Sequence, residues 1–135
     1  KMLQLVLGAI GAISLFVAAI GIANTMVMSI YERTREIGVM KVIGATVNDI
    51  RRLFLTEAAF IGLMGGIVGV IISCIVSKIV NVVGFNMGQA TNMSVIPFWL
   101  GFLGIVFAAL VGVMAGFFPA VRATKLSALA AIKTE

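Results

Sequence analysis

The run LQLVLGAIGAISLFVAAIGIANTMVMSI, from Leu3 to Ile30, contains no charged residue. A helix needs about 20 apolar residues to cross the hydrocarbon core of a bilayer. This run exceeds that length, so it predicts a membrane-spanning helix that tilts or extends beyond the lipid. It is also too long for the apolar core of a signal peptide, and further spans follow it. A second run, Leu53 to Ser77, carries one charge, Glu57, near its start. A third, Val95 to Val121, carries none. The composition agrees with these runs. The 135 residues are 61% hydrophobic and 11% charged, against roughly 45–50% and 25% in soluble domains. The expected fold is an all-α integral membrane protein with three transmembrane helices, spans 3–30, 53–77 and 95–121. A short helix is expected between the first and second. Lys1 precedes an apolar span almost directly, so the chain reads as part of a longer protein.

The basic residues orient the spans. Arg33, Arg35, Lys41, Arg51 and Arg52 lie between spans one and two, and Arg122, Lys125 and Lys133 follow span three. Only Lys78 borders the segment between spans two and three. Cytoplasmic loops carry the excess of Lys and Arg. Residues 31–52 and 122–135 are therefore cytoplasmic, and 78–94 extracytoplasmic. The net charge of +5 is thus a topology signal from a chain whose partner is the lipid bilayer, and no nucleic acid is expected.

Within 31–52, Thr34 is placed to cap a short helix with Glu36 in its first turn. That helix holds Ile37, Val39, Met40, Val42 and Ile43, and Gly44 is suited to end it. Thr46-Val-Asn-Asp49 then reads as a capping box opening a long helix from about Val47. The short helix is apolar around most of its circumference yet lies outside the spans. Two readings fit it: a helix resting in the lipid interface, or a plug that docks into another protein.

Segment Asn81–Ser94, rich in Gly, Asn and Thr, reads as an outer turn, and Asn92-Met-Ser94 is a glycosylation triplet of low specificity. After Pro119, expected to kink span three, Arg122, Lys125, Leu126, Leu129 and Ile132 suggest a basic amphipathic anchor at the headgroups. Small residues recur four apart: Gly62/Gly66 and Gly65/Gly69 in span two, and Gly104, Ala108, Gly112 and Gly116 in span three. Such faces let helices approach closely in lipid, within the chain or between copies. Asn24 is expected to hydrogen-bond a neighbouring helix. Glu57, near the start of span two, is expected in an ion pair with one of Arg33, Arg35, Lys41, Arg51 or Arg52. Span two and its neighbours offer no second carboxylate for a proton relay.

The chemistry of catalysis is thin. The chain has no histidine and one cysteine, Cys74, in an apolar run. No metal-ligand cluster appears. Gly38–Thr46 has glycines but not the spacing or the lysine of a phosphate-binding loop. The chain is expected to be non-catalytic and to bind no cofactor or metal.

The stretch ERTREIGVMKVIGA, Glu32 to Ala45, resembles the signature of FtsX-like permeases of the MacB type, the membrane subunits of ABC transporters. IGIANTM (Ile20–Met26), FLTEA (Phe54–Ala58) with the glycines after it, and PAVRA (Pro119–Ala123) fit the same family in the same order. Residues 127–132, Ser-Ala-Leu-Ala-Ala-Ile, depart from the family's Pro-x-Glu-Ala tail. The resemblance implies four spans, of which this chain holds the last three, with a large extracytoplasmic domain after the first. It implies a multi-pass protein of the bacterial cytoplasmic (inner) membrane, working as a homodimer beside two ABC ATPase subunits or domains that bind ATP and Mg. It makes the short helix a coupling helix seated on the ATPase through Arg35, Glu36, Ile37, Gly38, Val39, Met40, Lys41, Ile43 and Gly44. Ile37, Val39, Met40 and Ile43 would supply the apolar surface, and Arg35, Glu36 and Lys41 the register. Gly38 would allow close approach and Gly44 would end the helix. ATP-driven motion would pass across the membrane to export, or to work outside the membrane on peptides, antibiotics or lipoproteins. The rival reading is a three-helix anchor that recruits a partner without transducing energy.

Overall fold

The computed structural model describes residues 1–88 and 94–125. Four helices follow in order: α1 (Met2–Glu32), α2 (Thr34–Val42), α3 (Val47–Asn86) and α4 (Phe98–Thr124). Among the described residues there is no strand, and α1, α3 and α4 are long and apolar enough to cross a membrane. A backbone in lipid must satisfy its own polar groups, which is why uninterrupted apolar runs become helices there.

The junction of α1 and α2 is one residue, Arg33, with φ −100° and ψ 16°. Thr34 was expected to cap α2, but it does not. Its hydroxyl donates backwards to the carbonyls of Ile30 (3.1 Å) and Tyr31 (2.8 Å). The junction residue serves both helices: Arg33 N–H bonds Ser29 O of α1 at 3.1 Å, and Arg33 O accepts from Ile37 N–H of α2 at 3.0 Å. The unmet groups are α1's last carbonyls, and Thr34 meets two of them.

α2 ends in a Schellman turn. Ala45 N–H reaches Met40 O (2.9 Å) and Gly44 N–H reaches Lys41 O (3.2 Å). Gly44 adopts φ +104°, a conformation that costs a side-chain-bearing residue. Thr46 then opens α3 through the expected capping box. The Asp49 amide donates to Thr46 Oγ1 (3.3 Å), and the Thr46 amide donates to Asp49 Oδ2 (2.9 Å). The hydrogen bonds from the Thr46 hydroxyl and amide hold the Asp49 carboxyl below its ordinary range.

α3 has 40 residues, about 60 Å at the usual rise, twice the roughly 30 Å of a hydrocarbon core. It continues to Asn86, so the outer turn expected over Asn81–Ser94 is helical in its first part. Ile79, Val80, Val82 and Val83 sustain the helix, and it stops where Gly88 takes φ +83°. The third span's helix starts at Phe98 rather than Val95. Pro97 is its N-cap with extended geometry, and the residue before a proline avoids the helical region. Pro119 stands inside α4, which runs on to Thr124. The triplet at 92–94 has its first two residues outside the described range. Leu126, Leu129, Ile132, Lys133 and the departing tail at 127–132 lie outside it as well.

Two kinds of packing hold the helices. Within the lipid, α3 and α4 cross on small residues. A Cβ on Gly112 would stand 2.5 Å from Ala58 O, and one on Gly66 2.8 Å from Ala108 Cβ. Gly62 meets Ala108 and Gly112 as closely, and Gly116 meets Ala58. This crossing is within one chain. Gly65, Gly69 and Gly104 share the spacing but face open space. At the inner end, in contrast, side chains from all four helices form a core of Met26, Ile30, Ile37, Ile50, Phe54, Ala58, Ala120 and Ala123. Ile37 and Ile50 lie in the stretch between the apolar runs of α1 and α3, outside the expected spans, where burying such a side chain away from water stabilises by about 1.5–3 kcal/mol.

The outer ends of α3 and α4 are clasped. The Asn81 amide group donates to Ser94 O (2.7 Å) and accepts from Ser94 N–H (2.9 Å). Ser77, one turn earlier, donates to Ser94 O at 3.1 Å. Among the described residues α1 has no such tie, and every residue from Lys1 to Ala18, its far half, is exposed.

Candidate functional site

The feature that combines outward apolar groups with a rigid mount is α2. Its inward side carries Ile37, fully buried, and Gly38, also buried. Met40 packs half-buried against the same core. These three were expected on a docking face; the core claims Ile37 and Gly38, while Met40 packs on the core and also borders the outward hollow. The outward apolar residues are Val39 (48% exposed), Val42 (64%) and Ile43 (78%). Val42 was missed as a surface residue because a helix apolar all round gives no periodic signal of which side is buried.

Exposed Arg35 and Glu36 flank this surface. With Val39, Met40 and Leu53 they line a shallow hollow of about 430 Å³ between α2 and α3. Lys41, expected to fix the register of a partner, turns the other way. Its Nζ donates to Thr124 O at 2.7 Å, in the last turn of α4. A cation there complements the negative end of the helix dipole. Lys41 is therefore an internal strut from α2 to α4, a role with no sequence signal because the partner is a backbone carbonyl.

The α1–α2 joint is pinned from α3. Glu57 Oε2 accepts from Arg33 Nη1 at 3.4 Å, and Glu57 Oε1 accepts from Ser29 Oγ at 3.5 Å. The two charged side chains are 48% and 32% exposed, so the pair adds little energy in water. Its geometric effect is to place the joint over α3. α2 is thus braced by α1 through Arg33, by α3 through Glu57 and the core, and by α4 through Lys41.

The remaining expected residues fall elsewhere. Gly62, Gly66, Ala108, Gly112 and Gly116 make the crossing described above. Asn24 is exposed on α1 and makes no side-chain hydrogen bond among the described residues. Among those residues no three His, Cys, Asp or Glu side chains gather, and Cys74 is exposed. What this arrangement can do chemically is present an apolar surface on a helix fixed to three spans, so that a load on α2 reaches all of them.

Comparison with known proteins bears on that surface. The FtsX-like permease C-terminal family matches residues 8–128. The ABC transporter permease YtrF of Bacillus subtilis is 42% identical over 136 residues, covering 93% of this chain and 31% of YtrF. The pyoverdine export ATP-binding/permease protein PvdT of Pseudomonas syringae pv. syringae is 40% identical, covering 98% of this chain and 19% of PvdT. The macrolide export ATP-binding/permease protein MacB of Marinobacter nauticus is 39% identical, covering 96% of this chain and 19% of MacB. The chain spans less than a third of the length of these curated relatives.

Proposed function

The chain belongs to the FtsX-like permease family, a family of multi-pass membrane proteins, and from that premise we infer that it is the membrane part of an ABC exporter that couples an ATPase to work across the bilayer. The observation that carries this reading is α2, a short helix with Val39, Val42 and Ile43 outward and Ile37 locked into a core shared by all four helices. The apolar outward residues gain by burial in a groove of a cytoplasmic ATPase, with Arg35 and Glu36 setting the register. ATP and Mg belong to that ATPase, which is either a separate subunit, as the name of YtrF suggests, or part of the same polypeptide, as the names of PvdT and MacB suggest. A second permease copy completes the transporter. The chain itself catalyses nothing.

In this reading α3 and α4 move as one body, because their crossing leaves no room for sliding and their outer ends are clasped at Ser94. α1, joined at the inner core and exposed over its outer half, is the lever that swings against them. The motion acts on substrate outside the membrane, with exported antibiotics, peptides or lipoproteins as the substrate class.

The test is purification of the full-length protein from its own membranes with and without an ATP analogue. An ABC ATPase should accompany it, fused or bound, and Ile43→Asp or Val39→Asp should weaken that association or lower the stimulated ATP turnover without loss of membrane insertion. Undiminished association and turnover in both variants would instead favour the anchor that transduces no energy.

A further inference from the structure

α3 fixes how deep α1 sits. Its charge-free stretch between Glu57 and Lys78 is about 30 Å long at the usual rise, the length that a hydrocarbon core requires. Glu57 accepts from Ser29 and Arg33 of α1, so that level marks the edge of the lipid on α1 as well. From there α1 runs back along α3, with Ile22 beside Ile61. Asn24 stands five residues from Ser29 in that direction, about 7 Å inside the lipid. Its side chain is exposed and makes no hydrogen bond among the described residues. Hydrocarbon offers an amide no partner.

Asn24 belongs to one seam of α1. Val6, Ile10, Ile13, Val17, Ile20 and Asn24 follow one another at alternating steps of four and three, the spacing of a coiled-coil contact line. At about 100° per residue all six fall within about 80° of the helix circumference. Ile22, Met26 and Ile30, which pack into the core, lie about 160–240° round from Asn24. The seam therefore faces directly away from α3 and α4. Its five apolar members are 46–65% exposed. All five are Val or Ile, whose side chains are stiff before any contact forms.

We propose that this seam packs, in parallel, against the same seam of a second copy of the chain, and that the two Asn24 amides close it by donating to each other's side-chain oxygens. This rests on the second permease copy inferred above, and adds which surface it covers. Two copies inserted in one direction and related by a two-fold along the membrane normal bring residue 24 to one depth in both. An amide is donor and acceptor at once, so the symmetry supplies each Asn24 with its partner. Acyl chains supply none, and a different span would have to carry its own polar group at this depth. A single asparagine on an otherwise apolar seam also sets the register and the number of strands. At the end of α1, Glu32 and Glu36 balance Arg33 and Arg35 in number, so charge there does not set two copies against each other.

The full-length protein in its own membranes tests the seam, with the photo-cross-linker p-benzoyl-phenylalanine in place of Val17 and the products identified by mass spectrometry. Stepwise photobleaching of a fluorescent tag counts the copies in each complex. Two copies are expected, with a product of twice the chain's mass joined through α1. The same probe in place of Leu15, which lines the opening towards α3 and α4, should link within its own chain. Asn24→Leu should lower the yield at Val17 about threefold, the scale of one interhelical hydrogen bond in a membrane, and Asn24→Gln should keep most of it. Two copies whose Val17 probe links to lipid, or to another segment of its own polypeptide, overturn the seam and leave the second copy standing. A single copy overturns both. A yield at Val17 indifferent to Asn24→Leu also overturns the seam as drawn, since the amide pair would not be holding it.

Discussion

At Gly112 a hydrogen in place of a methyl group decides whether α3 and α4 can meet. A Cβ there would press on the Ala58 carbonyl, which belongs to a backbone and cannot turn aside. Gly112→Leu is expected to destabilise the folded chain by about 1–3 kcal/mol, the usual cost of overpacking. Gly104→Leu, which points into open space, should stay within about 0.5 kcal/mol. Reversible unfolding in detergent micelles distinguishes the two. The four-residue spacing was plain in the sequence, but it marked eight positions alike. Only the crossing separates Gly62, Gly66, Ala108, Gly112 and Gly116 from Gly65, Gly69 and Gly104, because spacing reports a shared face and not what lies against it. At Asp49 the capping box gives a pH dependence. Its carboxyl is held below the ordinary value by Thr46, so its contribution to the start of α3 is present above about pH 4, the unfolded value. That contribution is lost as pH falls through the lower, folded value. Hydrogen-exchange protection of the first turn of α3 should accordingly be flat from neutral pH to about 4 and drop below it. Asp49→Asn should remove this dependence.

Among the elements, α2 shows what sequence could and could not supply. Its existence, its end at Gly44 and the capping box after it were all legible, because glycine, threonine and aspartate act through local backbone geometry. Its inward side was not, since Ile37, Val39, Met40, Val42 and Ile43 leave no polar face to mark the other one. Ile37→Ala, in the core, should cost about 2–4 kcal/mol, while Ile43→Ala should be close to neutral for stability and act only on partner binding. Thermal unfolding measured beside ATPase association checks both. The ends of α3 and α4 were misread for a related reason. The glycines, asparagines and threonines of 81–94 suggested a turn, whereas Asn81 stays helical and uses its amide on Ser94. Lys41 belongs to this scale too. Lys41→Met removes the strut to Thr124 and should lower coupling of ATP turnover to transport while the ATPase stays bound. Lys41→Arg should restore part of the coupling.

For the whole molecule, two packing regimes divide the labour. In the lipid, where helices gain little from hiding apolar side chains, α3 and α4 are held by close backbone approach and by the outer clasp. At the end that carries α2, beyond the expected spans, an apolar core gathers all four helices around Ile37 and Phe54. The chain is therefore stiff on one side, open along α1, and joined at the end that an ATPase would load. Spin–spin distances in the full-length protein with its ATPase test this most directly. In a Cys74→Ser background, one label pair would be placed at Ile10 and Leu103, between α1 and α4, and a second at Ile72 and Leu103, between α3 and α4. Binding of a non-hydrolysable ATP analogue should change the first distance, leave the second fixed, and lose its effect on the first in Ile43→Asp. A first distance indifferent to nucleotide, or a second that shifts in its place, would contradict the account.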